Sequence, residues 1–234
     1  MKQNMFRQPM FVQKKWNYRE YLLEEWTDCY CYEMIPTDAF VYIPDGGRDF
    51  LWNIDKRELC CLDCSSQMAV IEWAGDRLFG IHIGPSYECD YELQRIREWM
   101  ESDGAKVSFQ ERAVHCSRQL IYNIRMRKVH PLIQYAVTQI VKTKGRIMVE
   151  ELAAENAYTP RQMEYLFRKQ FGCGPKRLSQ FVRLHYAVGY IVREPGQSFA
   201  VLAEQLGYSD QSHFQREFKR FMGITPKQFV MRYL

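Results

Sequence analysis

The 234-residue sequence predicts an α+β protein: a small antiparallel β-sheet or barrel domain in front, then an all-α domain of two similar helical units joined by a long helix. Three observations predict it. Short runs rich in β-branched and aromatic residues, separated by turn residues, fill the stretch from about 30 to 84. After Pro85 the apolar spacing switches to the helical period. The last hundred or so residues then repeat one pattern at an offset of fifty.

The front strands are AFVYIP (39–44), DFLWNI (49–54), ELCCLDC (58–64), QMAVIEW (67–73) and LFGIHI (78–83). Between them lie turn signals at Asp45-Gly46-Gly47, Asp55-Lys56, Ser65-Ser66 and Gly75-Asp76, a spacing that suits a meander or small barrel. All five tryptophans, including Trp16 and Trp26, fall within residues 1–99. In 90–101, Leu93, Ile96, Arg97 and Met100 stand at helical spacing until Ser102-Asp103-Gly104 ends the run. A second helix over 108–126 opens with Ser108 and Glu111 at capping-box spacing. From Pro131 on, Leu132, Ile133, Ala136, Val137 and Ile140 form one apolar face. The divisions expected are therefore a front domain over 1–104, a helical connector over 105–129 and a rear domain over 130–234.

Composition narrows the class. At 47% hydrophobic and 26% charged residues the chain is ordinary globular material rather than a disordered one. No run approaches the ~18 apolar residues of a membrane span, and MKQNMFRQPMFVQKKW lacks the apolar stretch of a secretory signal. A cytoplasmic address with no membrane partner is expected. Residues 1–125 hold 15 basic and 20 acidic side chains, and residues 126–234 hold 17 and 8, within a net +4. An acidic front and a basic rear suit a polyanion-binding module joined to something that must not bind the polyanion.

The repeat is specific. Leu152-Ala153 recurs as Leu202-Ala203 and Tyr158-Thr159 as Tyr208-Ser209, both at fifty; Phe167-Arg168-Lys169 matches Phe218-Lys219-Arg220, and Gly172 to Lys176 matches Gly223 to Lys227, at fifty-one. Each copy reads as a short helix, a tight turn and a longer helix. In the first, Val149, Leu152 and Ala153 face inward, the turn lies near Ala157, Thr159 caps and Met163, Leu166, Phe167 and Phe171 are buried. In the second, Phe199, Leu202, Ala203 and Leu206 face inward, Gly207 turns, Ser209 caps and Phe214, Phe218 and Phe221 form the stripe. This is helix-turn-helix geometry, in which the second helix of each unit enters a major groove. The exposed starts of those helices offer Arg161, Gln162, Glu164 and Tyr165, and Gln211, Ser212, His213, Gln215 and Arg216, to base edges. Arg168, Lys169, Lys219 and Arg220 suit phosphate contacts. Between the copies, Pro175 to about Arg193 makes one long helix whose His185 reads as a core or interface residue.

GYSDQSHFQREFKRFMGITPKQF (207–229) and the weaker TPRQMEYLFRKQFGCGPKRL (159–178) resemble the DNA-binding domain of the AraC/XylS family of transcription regulators, over about 130–234. The resemblance implies two recognition helices in successive major-groove segments, with base contacts from Arg161, Glu164 and Tyr165 and from Gln211, Ser212, His213 and Arg216. Two departures stand out: Ala157 where a turn glycine is common, and Tyr165 where an arginine is frequent. The first unit could therefore read loosely, or through thymine methyls. IPDGGRDFLWNI (43–54), LFGIHIGPS (78–86) and HPLIQYAV (130–137) resemble a subgroup whose β-rich front domain carries a Pro-Asp-Gly turn. That likeness implies a sensory or dimerising domain. The partners implied are double-stranded promoter DNA, RNA polymerase, an unidentified small-molecule effector and a second copy of the chain, the last through helices 90–101 and 108–126.

Other constellations are weaker. Cys60-Cys61-x-x-Cys64, with Cys29 and Cys31 upstream, could hold a metal or perform thiol chemistry, as a sensor or enzyme domain fused to the DNA-binding tail. On a strand, however, Cys60 and Cys64 would lie roughly 13 Å apart, and buried small hydrophobes are the favoured reading. Asp45-Gly46-Gly47-Arg48-Asp49 reads as a hairpin turn before a ligand site. The tryptophans with Tyr42, Phe50, Phe79 and Tyr87 read as core before an effector pocket. There is no His-Glu-x-x-His, phosphate-cradling loop or nucleophile elbow, and His82 and His115 have no metal-ligand partners at characteristic spacing. No catalytic residues, no metal and no cofactor are expected, and the chain is not expected to be an enzyme.

Overall fold

The computed structural model describes residues 18–23, 29–43, 45, 47–62, 68–84, 87–89, 93–126 and 131–234, with backbone alone for 87–89, 93 and 121–126. Trp16, Trp26, Pro44, Gly46, Cys64, Ser65-Ser66, Pro85 and His130 lie outside the described residues, as do the side chains of Tyr87, Cys89 and Leu93.

The front half is built on a five-stranded antiparallel sheet in the order β1-β2-β7-β4-β5, from β1 (Arg19–Leu22), β2 (Cys29–Met34), β4 (Arg48–Asn53), β5 (Glu58–Leu62) and β7 (Leu78–Ile83). β3 (Phe40–Tyr42) pairs separately with β6 (Ala69–Ile71). The meander expected from strand spacing is not what forms: β7 returns between β2 and β4, and both β2 and β7 are buried along their whole length. Strand alternation then sorts the side chains onto two faces.

One face sends Cys29, Cys31, Trp52, Phe79 and Ile81 against Ile96, Met100, Ala113, Cys116 and Leu120. These last belong to α1 (Leu93–Trp99), the π-helical turn Met100–Gly104 that follows it, and α2 (Phe109–Asn123). α2 opens with the expected capping box: Ser108 N donates to Glu111 Oε2 at 3.0 Å and Glu111 N to Ser108 Oγ at 3.3 Å. The fully buried Arg112 ties α2 to β2 by pairing with Glu33, while it also donates to the carbonyls of Gly104 and Val107 at 2.8 Å. The helix expected over 108–126 stops at Asn123. Ile124–Met126 instead forms β9, paired with β8 (Tyr87–Cys89), so a non-local ladder overrides local helical spacing there.

The rear half is helical: α3 (Pro131–Lys142), α4 (Val149–Glu155), α5 (Pro160–Phe171), α6 (Pro175–Arg193), α7 (Phe199–Gln205), α8 (Gln211–Met222) and α9 (Pro226–Tyr233). α4–α5 and α7–α8 are the two copies of the repeat. α6 is buried on two sides. Leu178 and Val182 complete the first unit's core, with Leu132, Ile140, Leu152, Met163 and Phe167. Phe181, Leu184, Val188 and Ile191 complete the second, with Leu202, Leu206, Phe214, Phe218 and Phe229.

That second core does not end at the rear half. It runs without a break into the other face of the front sheet, through Tyr30, Tyr32, Met34, Leu51 and Leu78, and into β3 and β6 through Phe40, Tyr42 and Ile71. Hydrogen bonds cross the junction as well: Met68 N donates to the Phe221 carbonyl at 3.2 Å, and His185 Nε2 to the Ile43 carbonyl at 3.3 Å. His185 is thus an interface residue, in keeping with its place on an apolar helix. Among the described residues no helix is long and apolar enough to cross a membrane.

Candidate nucleic-acid interface

The two repeated helices are set by the same local devices. α5 begins at Thr159, whose side chain accepts from Gln162 N at 3.2 Å, and continues through Pro160 at the first turn. It ends on Gly172 in the left-handed region (φ 70°), where glycine carries no Cβ penalty. Met163, Phe167 and Phe171, four residues apart, are buried. α8 begins at Asp210, which accepts from His213 N at 2.7 Å, and ends on Gly223 (φ 68°). Its buried stripe is Phe214, Phe218 and Phe221, joined by Glu217 and Met222. The cap is Asp210, not the expected Ser209. The carboxylate accepts the orphan N–H more strongly than a hydroxyl, leaving Ser209 Oγ to contact His213 Nδ1 at 3.1 Å. The bond from His213 N holds the Asp210 carboxyl below its ordinary value.

The opposite faces are polar and open. On α5, Arg161, Gln162, Tyr165, Arg168 and Lys169 are exposed and Glu164 half-buried; Tyr165 is 64% exposed, high for an aromatic ring. On α8, Gln211, Ser212, Arg216, Lys219 and Arg220 are exposed, with His213 and Gln215 half-buried. Each helix therefore presents a polar stripe of the expected residues behind which three phenylalanines or a methionine and two phenylalanines seat it in a core.

Several of these side chains already have work within the protein. The Gln162 amide oxygen accepts from Thr159 N at 2.9 Å, completing a capping box. Glu164 Oε1 accepts from Arg168 Nε at 2.7 Å, an exposed i,i+4 pair. His213 lies edge-on to Tyr208, with ring centroids 5.3 Å apart. Arg161, Tyr165, Gln211, Ser212 and Arg216 are the exposed reading-face residues outside these contacts.

The turn ahead of α5 differs from its counterpart as its sequence does. Ala157 sits at φ 56°, in the left-handed region that Gly207 occupies at φ 73° in the second unit.

Among the described residues, the pair on β2 and the pair on β5 do not converge. Cys29 and Cys31 are buried on β2, while Cys60 and Cys61 lie on β5, two intervening strands away; three inter-strand steps make about 14 Å. Burial pushes the Cys31 thiol well above its usual range, raises Cys60 and Cys61, and takes Cys116 up to about 12. Burial thus disfavours, at each of these positions, the thiolate that nucleophilic attack requires.

His82, expected to lack metal-ligand partners, has two. Its Nδ1 lies 2.8 Å from Asp49 Oδ2 and 3.9 Å from Asp45 Oδ2, all three residues buried. Nothing local in the sequence pointed to this, because His82 and Asp49 are 33 residues apart and meet only as cross-strand partners of β7 and β4. Of the aromatic residues read as core before a pocket, those described pack into the two cores: Tyr42 and Trp73 on one face of the sheet, Trp52 and Phe79 on the other, with Phe50 and Trp99 against the latter; Trp16, Trp26 and the Tyr87 side chain lie outside the described residues.

A helix-turn-helix domain family matches residues 152–232. The lactose operon transcription activator of Staphylococcus xylosus is 26% identical over 110 residues, and the RCS-specific HTH-type transcriptional activator RclR of Escherichia coli is 30% identical over 111. Each match covers 47% of this chain, and the chain spans only 39% of the length of either relative. Among solved structures, the C-terminal domain of AraT, a response regulator from Geobacillus stearothermophilus, aligns with a TM-score of 0.42 at 21% identity, over 45% of this chain and 88% of that one. ToxT from Vibrio cholerae, in a structure bound to (E)-4-(8-methylnaphthalen-1-yl)but-3-enoic acid, aligns with a TM-score of 0.48 at 10% identity, over 93% of this chain and 99% of that one.

Proposed function

Because its rear half places the chain in the AraC/XylS family of regulators, we propose that it is a sequence-specific regulator of transcription that grips promoter DNA with α5 and α8. The observation that carries this reading is the duplication itself. Two helices at matching positions of two copies are each anchored by a buried apolar stripe and each turn a polar, basic-ended face outward. A helix of ~10–12 Å diameter fits a major groove ~12 Å wide.

In this reading Arg161 and Tyr165 of α5, and Gln211, Ser212 and Arg216 of α8, meet base edges. Arg168, Lys169, Lys219 and Arg220 hold phosphates, with Arg168 exchanging Glu164 for DNA. Gln162, Glu164, His213 and Gln215 stand at the edges of the two faces. The front domain (1–104) acts as a sensor, its connector (105–129) and sheet carrying the response to the rear domain (130–234). The continuous core between the front sheet, α6 and α8 supports this, since a change in sheet packing bears directly on the helix that joins the two units. The reading extends to a cytoplasmic regulator, not an enzyme, that meets RNA polymerase at promoters, answers a small-molecule effector and pairs with a second copy.

Selection from random duplex DNA with the purified chain tests it. The enriched sites should contain two blocks about one helical turn, ~10–10.5 base pairs, apart. Arg161→Ala should blur one block and Arg216→Ala the other. Absence of any enriched motif, or a motif indifferent to both substitutions, would refute the assignment.

A further inference from the structure

The face of the front sheet opposite α1 and α2 holds a constellation separate from the reading helices. We propose that Asp45, Asp49 and His82 form a binding site for one divalent first-row transition-metal ion.

The geometry comes from the sheet. Asp49 and His82 are directly opposed on β4 and β7, so both side chains leave the same face. Asp45, in the turn leading into β4, reaches over the pair. One ligand atom from each residue lies within 4.8 Å of the other two. An ion held at ~2.0–2.2 Å by tetrahedrally arranged ligands sets those ligand atoms about 3.4 Å apart. The two separations of 2.8 and 3.9 Å from His82 Nδ1 bracket that value.

Each ligand is already oriented, as metal ligands are by the hydrogen bonds behind them. Gly47 N donates to Asp45 Oδ1 at 2.8 Å, which leaves Oδ2 facing His82. Tyr32 donates to Asp49 Oδ1 at 3.0 Å and Tyr42 to Oδ2 at 2.8 Å. Two glycines make the room. A Cβ on Gly47 would lie 2.8 Å from His82 Cε1, and one on Gly80 would lie 2.0 Å from Tyr32 Cζ, so the Tyr32 ring crosses β7 only because residue 80 has no side chain.

The charges point the same way. Asp45 is 2% exposed and Asp49 and His82 are 0% exposed. Carboxylates sealed from water call for pairing or metal coordination, and a divalent ion beside an imidazole would balance the two of them. Two carboxylate oxygens with one imidazole nitrogen suit Zn2+, Mn2+ or Fe2+ better than the soft ions that thiolates select. Asp45 also lies two residues from Ile43, whose carbonyl accepts from His185 on α6. The ion would therefore sit beside the helix joining the two reading units; that consequence rests on the DNA-binding reading, whereas metal uptake does not.

Titration of tag-free, EDTA-stripped full-length protein with ZnCl2 and with MnCl2, in the absence of DNA, tests the site. Native mass spectrometry should show one ion per chain, and saturation near a hundredfold above Kd should raise the melting temperature by roughly 5–10 °C. Asp45→Asn and His82→Gln should each abolish uptake, while His115→Gln keeps it. Asp45→Asn retains the carbonyl facing Gly47 and removes a buried charge, so its metal-free melting temperature should equal or exceed that of the stripped parent. Wild-type protein that takes up neither ion overturns the proposal on its own, whatever the variants do. So does unchanged one-to-one uptake in both ligand variants.

Discussion

Replacing Ala157 with glycine should stabilise the protein, although it removes a methyl group and touches no core. Ala157 is exposed and sits at φ 56°. An L-residue there brings its Cβ against the following carbonyl, at about 1–2 kcal/mol. Glycine removes that cost but enlarges the freedom of the unfolded chain, which returns about 0.4–1 kcal/mol. The net gain is about 0.5–1 kcal/mol, or ~1–4 °C in melting temperature for a chain of this size. The second unit supplies the reverse experiment. Gly207→Ala puts a Cβ at φ 73°, 3.0 and 3.1 Å from Arg146 Cδ and Cγ, which belong to a side chain able to swing away. The cost should again be strain less the unfolded-chain term, about 1 kcal/mol. Urea denaturation followed by far-UV circular dichroism measures both, provided the m-value is unchanged. Opposite signs are required. Midpoints moving the same way, or a lower midpoint for Ala157→Gly, would show that turn strain does not distinguish the two units.

Three further outcomes are expected. Arg216→Ala, on the open face of α8, should weaken binding to a selected site by ~1–3 kcal/mol and relax the preference at one base pair, read by fluorescence anisotropy; an equal loss on scrambled DNA would make it a phosphate contact. Cys116, buried and with its thiol raised to about 12, should resist iodoacetamide at pH 8 in the native chain and react in urea; peptide mapping that finds it alkylated natively would contradict its burial. Asp210→Ala should lower the melting temperature at neutral pH. The Asp210 carboxyl is depressed by the bond from His213 N, so its contribution is full above its ordinary value of 3.8 and fades as pH falls through the depressed one. A wild-type-to-variant gap that stays constant from pH 7 to pH 2 would rule that cap out.

The rear half was legible because its information is local. The repeat shows at a fifty-residue offset, and within each copy the four-residue spacing of Met163, Phe167 and Phe171, the four- and three-residue spacing of Phe214, Phe218 and Phe221, and the glycine after each helix all act within a dozen residues. Even there, Ser209 and Asp210 were neighbouring capping residues that sequence could not rank. In the front half the five named runs became β3 to β7, but β1, β2 and β8 were not read as strands and the sheet order was not legible. CYCYEM, buried on both faces, shows none of the apolar–polar alternation that marks a half-exposed strand. The return of β7 between β2 and β4 depends on pairings about fifty and thirty residues apart in sequence. Separation along the chain also hid the meeting of Asp49 with His82 and, over a far longer span, of Phe221 with Met68. Ile124–Met126 reads as the end of a helix until β8 claims it.

The seam between the halves governs how the protein can be taken apart. A chain cut ahead of α3 would leave Phe181, Leu184, Phe221 and their neighbours without the tyrosines and β-strand residues that now roof them. Such a fragment would carry an adhesive flank and tend to clump. Its grip on DNA, compared with that of the intact chain, would reflect the stickiness of that wound as much as release from a sensor.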